Sequence, residues 1–462
     1  MNDFRRNQII ELARNSQIVK VCLISILVLL LQIPITKIKG VIKEREKTRY
    51  EAMSEITSKW GKKQLLSGPS IIVPYSIGSF QSANTRQSNL GYATFLPESL
   101  KISGKLDSQL LYRGIYKVPV YTMYLDISGS FIKPDFSEWS IEDKNILWDR
   151  AYLSFNLTDS WSITKSPSLL WNDNKLNFSP DAGEFENNQP CLNVKLKNNL
   201  EGDAFNFSFS VELNGSVSAF FIPFGRDTEV SINSDWSSPS FQGVCLPKSR
   251  TVNKDGFAAT WNVPFLSRNF PQKWLSTSND SVNRAIEESA FGVEMISPVD
   301  FYTMSQRSVK YQFLFLVLTF STLWLFEILA KIRVHPIQYL LIGSGMCLFY
   351  LLELSLAEQV GFILAYAIAS AAVIILVTTY SVSVLKASKR AVIVGAVVTL
   401  LYIYLYVLLM IEDYALLSGS IGLFVVLAII MFLTRKVDWY SITDIVIPKI
   451  ETADNKNSDK VL

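Results

Sequence analysis

A single histidine, His335, and four cysteines are all that 462 residues hold for the commonest catalytic and metal-binding chemistry. A Ser-His-Asp triad needs an imidazole beside its nucleophile, and a structural zinc site needs about four Cys or His ligands. His335 sits between apolar runs, and only Cys191 and Cys245 lie outside such runs, so neither site can assemble in the polar part of the chain. Charge of one sign is lacking too: 44 Lys and Arg stand against 41 Asp and Glu, a net +3 with 18% charged residues. That balance gives no broad basic field, and nucleic acid is not an expected partner. Ser-Lys dyads and paired carboxylates stay arithmetically open, but no local motif singles out their members. Neither an enzymatic activity nor a cofactor is expected.

What the chain does have is apolar length. A mean hydropathy of +0.22 is high for a soluble protein and low for one that is membrane throughout. Five runs near 20 residues, enough for a hydrocarbon core of about 30 Å, fill the last third. They are Tyr311–Ala330, Pro336–Leu356, Val360–Tyr380, Ala391–Ile411 and Leu416–Thr434. A sixth, Val21–Ile35, follows Arg5, Arg6, Arg14 and Lys20 as a signal h-region follows its n-region. Its exit, Pro34-Ile35-Thr36-Lys37, has no small-x-small cleavage site, so residues 18–36 are expected to remain as a signal anchor. Lys331 and Arg333, then Lys386, Lys389 and Arg390, then Arg435 and Lys436 mark alternate short loops as cytoplasmic. Lys37 to Arg49 argue the other way but lie in a long translocated segment, where charge weighs little. The expected layout is a cytoplasmic N-terminus over 1–17, an outside domain over 37–310, a five-span block over 311–434 and a cytoplasmic tail over 435–462 with a disordered end.

The outside segment opens with Lys43-Glu44-Arg45-Glu46-Lys47, whose spacing supports an exposed helical stalk over 41–60. Beyond Gly68-Pro69 the period becomes two, as in Tyr121, Met123, Leu125, Ile127 and in Phe205, Phe207, Phe209, Val211, Leu213. Ala151, Leu153, Phe155 and Leu157 repeat it, and Leu213-Asn214-Gly215-Ser216 carries a strong hairpin signal. The fold expected is a six-span helical bundle with a large β-rich, sandwich-like domain. Eight of the ten tryptophans fall in that domain, as core or as a carbohydrate or peptide platform. Cys191 and Cys245 are a candidate disulfide there, and two separate core thiols would look the same.

Ionisable residues in the spans sit near their ends. Glu327 is four residues from Lys331, the spacing of a helical ion pair. Glu353, Glu358, Glu412 and Asp413 form a candidate acidic outer rim, which either faces water or docks the outside domain through a return strand bearing Arg307 and Lys310. Gly361, Ala365 and Ala369 give a smooth helix face. With neither a buried midplane charge nor a broken helix evident, apart from Gly343-Ser344-Gly345, ion-coupled transport is disfavoured.

Several stretches together resemble the CreD family of bacterial inner-membrane proteins. They include Trp60-Gly61-Lys62-Lys63-Gln64-Leu65-Leu66-Ser67-Gly68-Pro69, Tyr112-Arg113-Gly114-Ile115-Tyr116 and Gly256-Phe257-Ala258-Ala259-Thr260-Trp261. In the membrane block Arg333-Val334-His335-Pro336-Ile337-Gln338-Tyr339, Glu412-Asp413-Tyr414-Ala415-Leu416 and Thr434-Arg435-Lys436-Val437-Asp438-Trp439-Tyr440 complete the pattern. The resemblance implies a Gram-negative inner-membrane protein tied to envelope integrity, colicin tolerance and stress response, and it supplies no catalytic residues. Besides the lipid bilayer, the expected partner is an envelope protein, lipid or glycan bound by the outside domain. The alternative is a transporter or lipid-handling protein using a groove between domain and bundle.

Overall fold

The structure, a computed structural model, describes residues 17–77, 90–179, 191–276, 279–295, 301–330, 332–411 and 414–435. The chain divides into two compact units, Met1–Lys47 with Val299–Leu462, and Thr48–Pro298.

The first unit is helical. Helices α1 (Gln17–Leu30) and α2 (Gln32–Trp60) run on almost without a break, and Gly61 closes the end by donating its N–H to the Thr57 carbonyl. After the β-rich unit and α3 (Asn279–Glu288), which belongs to it, come α4 (Phe301–Lys310), α5 (Gln312–Ala330) and α6 (Pro336–Val360). Then follow α7 (Phe362–Leu385), α8 (Ser388–Met410) and α9 (Ala415–Thr434). Each can sit in hydrocarbon because a helix satisfies its backbone internally. The lone histidine starts α6: His335 Nδ1 accepts from the Ile337 N–H at 3.3 Å, Gln338 answers the His335 N–H at 2.9 Å, and Pro336 fills the first turn.

Six spans were expected. Among the described residues four helices are long and apolar enough to cross a membrane, and α4 with α5, bent by 44° at Tyr311, make a fifth if taken as one. The apolar stretch Leu417–Ile429 within α9 is shorter. The interruption therefore lies at Tyr311, while α6 passes unbroken through Gly343-Ser344-Gly345. A Cβ on Gly343 would come within 2.3 Å of Leu31 and 2.8 Å of Phe320, so this glycine lets three helices approach closely. Of the small-residue stripe, Ala365 and Ala369 are buried, whereas Gly361 is the link between α6 and α7 at φ 84.

The second unit holds seventeen described strands. They begin β1 (Gln64–Ser76), β2 (Leu90–Phe95), β3 (Ser99–Arg113), β4 (Tyr116–Ile132), β5 (Tyr152–Asn156) and β6 (Ile163–Lys165). Next are β7 (Ser168–Trp171), β8 (Asn174–Asn177), β9 (Cys191–Lys195), β10 (Ala204–Ser216), β11 (Ser218–Phe221) and β12 (Asp227–Ser234). The last are β13 (Pro239–Gly243), β14 (Ser249–Asn253), β15 (Gly256–Pro264), β16 (Lys273–Leu275) and β17 (Phe291–Met295). One sheet runs β13-β17-β11-β1-β2-β16, with β5 also on β1 and β9 on β5. The other runs β14-β15-β12-β3-β4-β10-β7-β8, with β6 on β10. The period-two residues of β10, from Phe205 to Leu213, all point into one apolar core that both sheets feed. Fully burying each such side chain is worth about 1.5–3 kcal/mol.

The hairpin expected at Asn214-Gly215 is absent. Both residues lie inside β10, paired with Thr122 and Tyr121 of β4, and the chain passes to the other sheet at Val217, φ 65. Gly215 is required by packing rather than by a turn, since its Cβ would stand 2.3 Å from the Tyr121 ring. That ring is fully buried and its hydroxyl donates to the Ser218 carbonyl at 2.7 Å.

Candidate functional site

The helical unit concentrates its buried polar chemistry where α4 meets α6. On α4, Tyr302, Ser305 and Ser308 recur every third residue and so share one face, which is buried. Facing them is Glu353 of α6, 0% exposed. Ser308 Oγ donates to one carboxylate oxygen at 3.1 Å and Ser305 Oγ reaches the other at 3.4 Å. Tyr302 donates its hydroxyl to Glu358 at 3.0 Å. The same helix is tied to α2 by Gln306, whose amide donates to Glu46 at 2.7 Å. Bonds of this kind contribute about 0.5–1.5 kcal/mol each, and losing one donor to a buried carboxylate costs more than the bond contributes.

Aromatic rings close the site from behind. Phe349 lies 4.6 Å from the Tyr402 ring and 5.5 Å from that of Tyr366, and Tyr366 donates to the Tyr402 carbonyl at 2.6 Å. A second buried carboxylate stands at the other end of α5. Glu327 is 3% exposed, is ion-paired with Lys20 of α1, and accepts from the Val334 N–H at 3.2 Å and the Tyr339 hydroxyl at 3.3 Å.

Several expectations change. Glu353 is neither an open rim carboxylate nor a partner of Arg307 or Lys310, because two hydroxyls hold it inside the helices. Arg307 and Lys310 lie on helix α4 of the helical unit, not on a strand. Glu327 takes Lys20 from a helix 307 positions away in sequence. Lys331, Glu412, Asp413, residues 1–16 and the tail from 436 lie outside the described residues. What sequence reasoning missed was the polar period of three in α4, hidden once that segment was taken as extended.

In the β-rich unit all four sequence alternatives for tryptophan and cysteine can be placed. Trp171 and Trp261 are core, Trp139, Trp148, Trp236 and Trp274 pack partly against it, and Trp161 is 94% exposed. Cys191 and Cys245 are free thiols. Cys191 opens β9 and Cys245 follows β13, strands on two branches of one sheet that are joined through β1. Among the described residues no group of three or more His, Cys, Asp and Glu could hold a metal ion.

Comparison with known proteins accords with these features. A family model described as Inner membrane protein CreD matches residues 16–440. The Inner membrane protein CreD of Escherichia coli (strain K12) is 31% identical over 445 residues, covering 94% of this chain and 96% of that protein.

Proposed function

Since this chain belongs to the CreD family of inner membrane proteins, we propose that it is an envelope-integrity and stress-response protein whose β-rich unit lies in the periplasm and binds an envelope component. The helices cross the membrane six times with both termini cytoplasmic, and the β-rich unit is sandwich-like, its two sheets sharing one core. The bundle anchors the unit and relays its state. The observation that carries this reading is the fastening of α4. Residues 296–300 are all that separate the last strand, β17, from α4, and α4 is held to α6 by Glu353 and Glu358 and to α2 by Glu46. On this reading a change in the β-rich unit is passed to the helices through that segment and α4.

Photocrosslinking from exposed positions of the β-rich unit in whole cells, with the full chain in its membrane, tests the binding role. A reproducible protein, lipid or glycan adduct is the expected result, and no specific adduct from any position would sink it.

The second reading, a transporter or lipid-handling protein, is favoured by one observation. A bend of 44° between α4 and α5 lies beside a fully buried carboxylate, the combination that ion-coupled carriers use. Ion or lipid flux in proteoliposomes that disappears with Glu353→Gln would select it over the first.

A further inference from the structure

The β-rich unit carries a cleft of about 850 Å³, within the size range of ligand sites. We propose that it binds an uncharged sugar chain, stacked on Trp148. This rests on the reading above and names the class of envelope component.

The cleft is built by the segment after β4 and by the short helical turn Lys197–Leu200. Its aromatic wall is fixed in place, because Phe136 meets Trp139 edge-on at 5.5 Å and Trp148 at 5.6 Å. One face of Trp139 is taken by the Lys273 ammonium, 5.4 Å from the ring centroid and itself held by Asp135 at 3.3 Å and Glu138 at 3.2 Å. Trp148 is the half-buried indole left to receive a ligand.

The polar groups decide what that ligand is. Asp143, Asp149 and Glu201 supply exposed carboxylates to the lining and Lys133 and Lys197 supply exposed ammonium groups, none of them in an ion pair among the described residues. Acceptors and donors of opposite charge beside one aromatic face suit a polyol, whose hydroxyls donate to carboxylates and accept from ammonium groups. The C–H face of a pyranose meets the negative face of an indole favourably. A cationic peptide would meet the two lysines, and an anionic chain the carboxylates.

The test is calorimetric titration of the full chain in nanodiscs with three uncharged probes: chitotetraose, cellotetraose and maltotetraose. At least one should bind saturably, and Trp148→Ala should weaken it roughly tenfold or more, as loss of an aromatic anchor does. Asp149→Asn, a surface change that leaves the core alone, should weaken it too, while Trp161→Ala should not. Thermal unfolding of each variant checks that the unit is intact. Absence of saturable binding by all three sugars, an unchanged affinity in both Trp148→Ala and Asp149→Asn, or binding of a lysine-rich peptide in their place would overturn the proposal. A protein or lipid adduct in the crosslinking experiment, with no sugar bound, would remove the sugar and leave the binding role standing.

Discussion

In the helical unit the buried charges are carboxylates, and each is answered by side chains of other helices: Glu327 by Lys20 and Tyr339, Glu353 by Ser305 and Ser308. In the β-rich unit the buried charges among the described residues are Asp159, which accepts from the Trp161 N–H at 3.2 Å, and the guanidinium of Arg268, answered by the backbone carbonyls of Pro223 at 3.0 Å and Phe224 at 2.7 Å and by the Gln272 side chain, and stacked over Phe270. Burial pulls its pKa down to about 10. The difference follows from where free backbone groups exist. A helix interior spends its N–H and carbonyl groups on each other, so a carboxylate between helices recruits side chains, and the backbone N–H that Glu327 accepts, from Val334, lies outside the helices. Loops between strands leave carbonyls unspent, and a donor-only group such as arginine can use them.

The largest effect should come from removing a recruited side chain. Lys20→Met leaves Glu327 buried without its cation and should cost about 3–5 kcal/mol in thermal unfolding of the full chain, with most of the loss recovered in Lys20→Met/Glu327→Gln. A loss no greater than that of an exposed lysine would break the comparison on the helical side. On the β side, ring packing sets the limit. Gly215→Ala, driven into the Tyr121 ring, should cost about 1–3 kcal/mol. Gly114→Ala, at φ 58 with open space around it, should cost only the backbone penalty of about 1–2 kcal/mol. A loss well below about 1 kcal/mol at Gly215 would contradict its packing role.

Smaller effects sharpen the same contrast at the surface. The Asp135 carboxyl is held below its ordinary range by the Ser137 N–H first, then by the Ser137 hydroxyl and Lys273. A depressed carboxyl contributes stability that is fully present above the ordinary carboxylate range and is lost as pH falls through the native pKa. Asp135→Asn should therefore lower the unfolding temperature slightly at neutral pH, where that contribution is fully present, and leave it unchanged at the acid end, so that the acid limb is slightly flatter. The smallest effect is none at all: with Cys191 and Cys245 as free thiols, reducing agent should leave the unfolding temperature of the wild-type chain unchanged. A drop under reduction would reveal a bond between them.

Apolar length and period two were readable because both are local. The runs from Tyr311 onward became helices, and the alternate residues from Phe205 to Leu213 face the core. Partners were not readable, because contact between helices is set by packing and not by spacing. The four-residue interval from Glu327 to Lys331 suggested one ion pair, and the folded chain makes another with Lys20. Asn214-Gly215 carried turn chemistry, yet a neighbouring aromatic ring needed the missing Cβ more. His335 sits between apolar runs, and its position before Pro336 marks the cap it turned out to be. Glu353 lies toward the C-terminal end of α6, and its burial depended on reading Tyr302, Ser305 and Ser308 as one helical face.

That seam between α4 and α6 can be measured directly by a double-mutant cycle on Ser308→Ala and Glu353→Gln, following thermal unfolding of the full chain in nanodiscs. The two residues share a buried hydrogen bond, so the expected result is a coupling of about 1 kcal/mol, with the double variant less destabilised than the two single losses together. Additive losses would contradict the seam and, with it, the relay from the β-rich unit through α4.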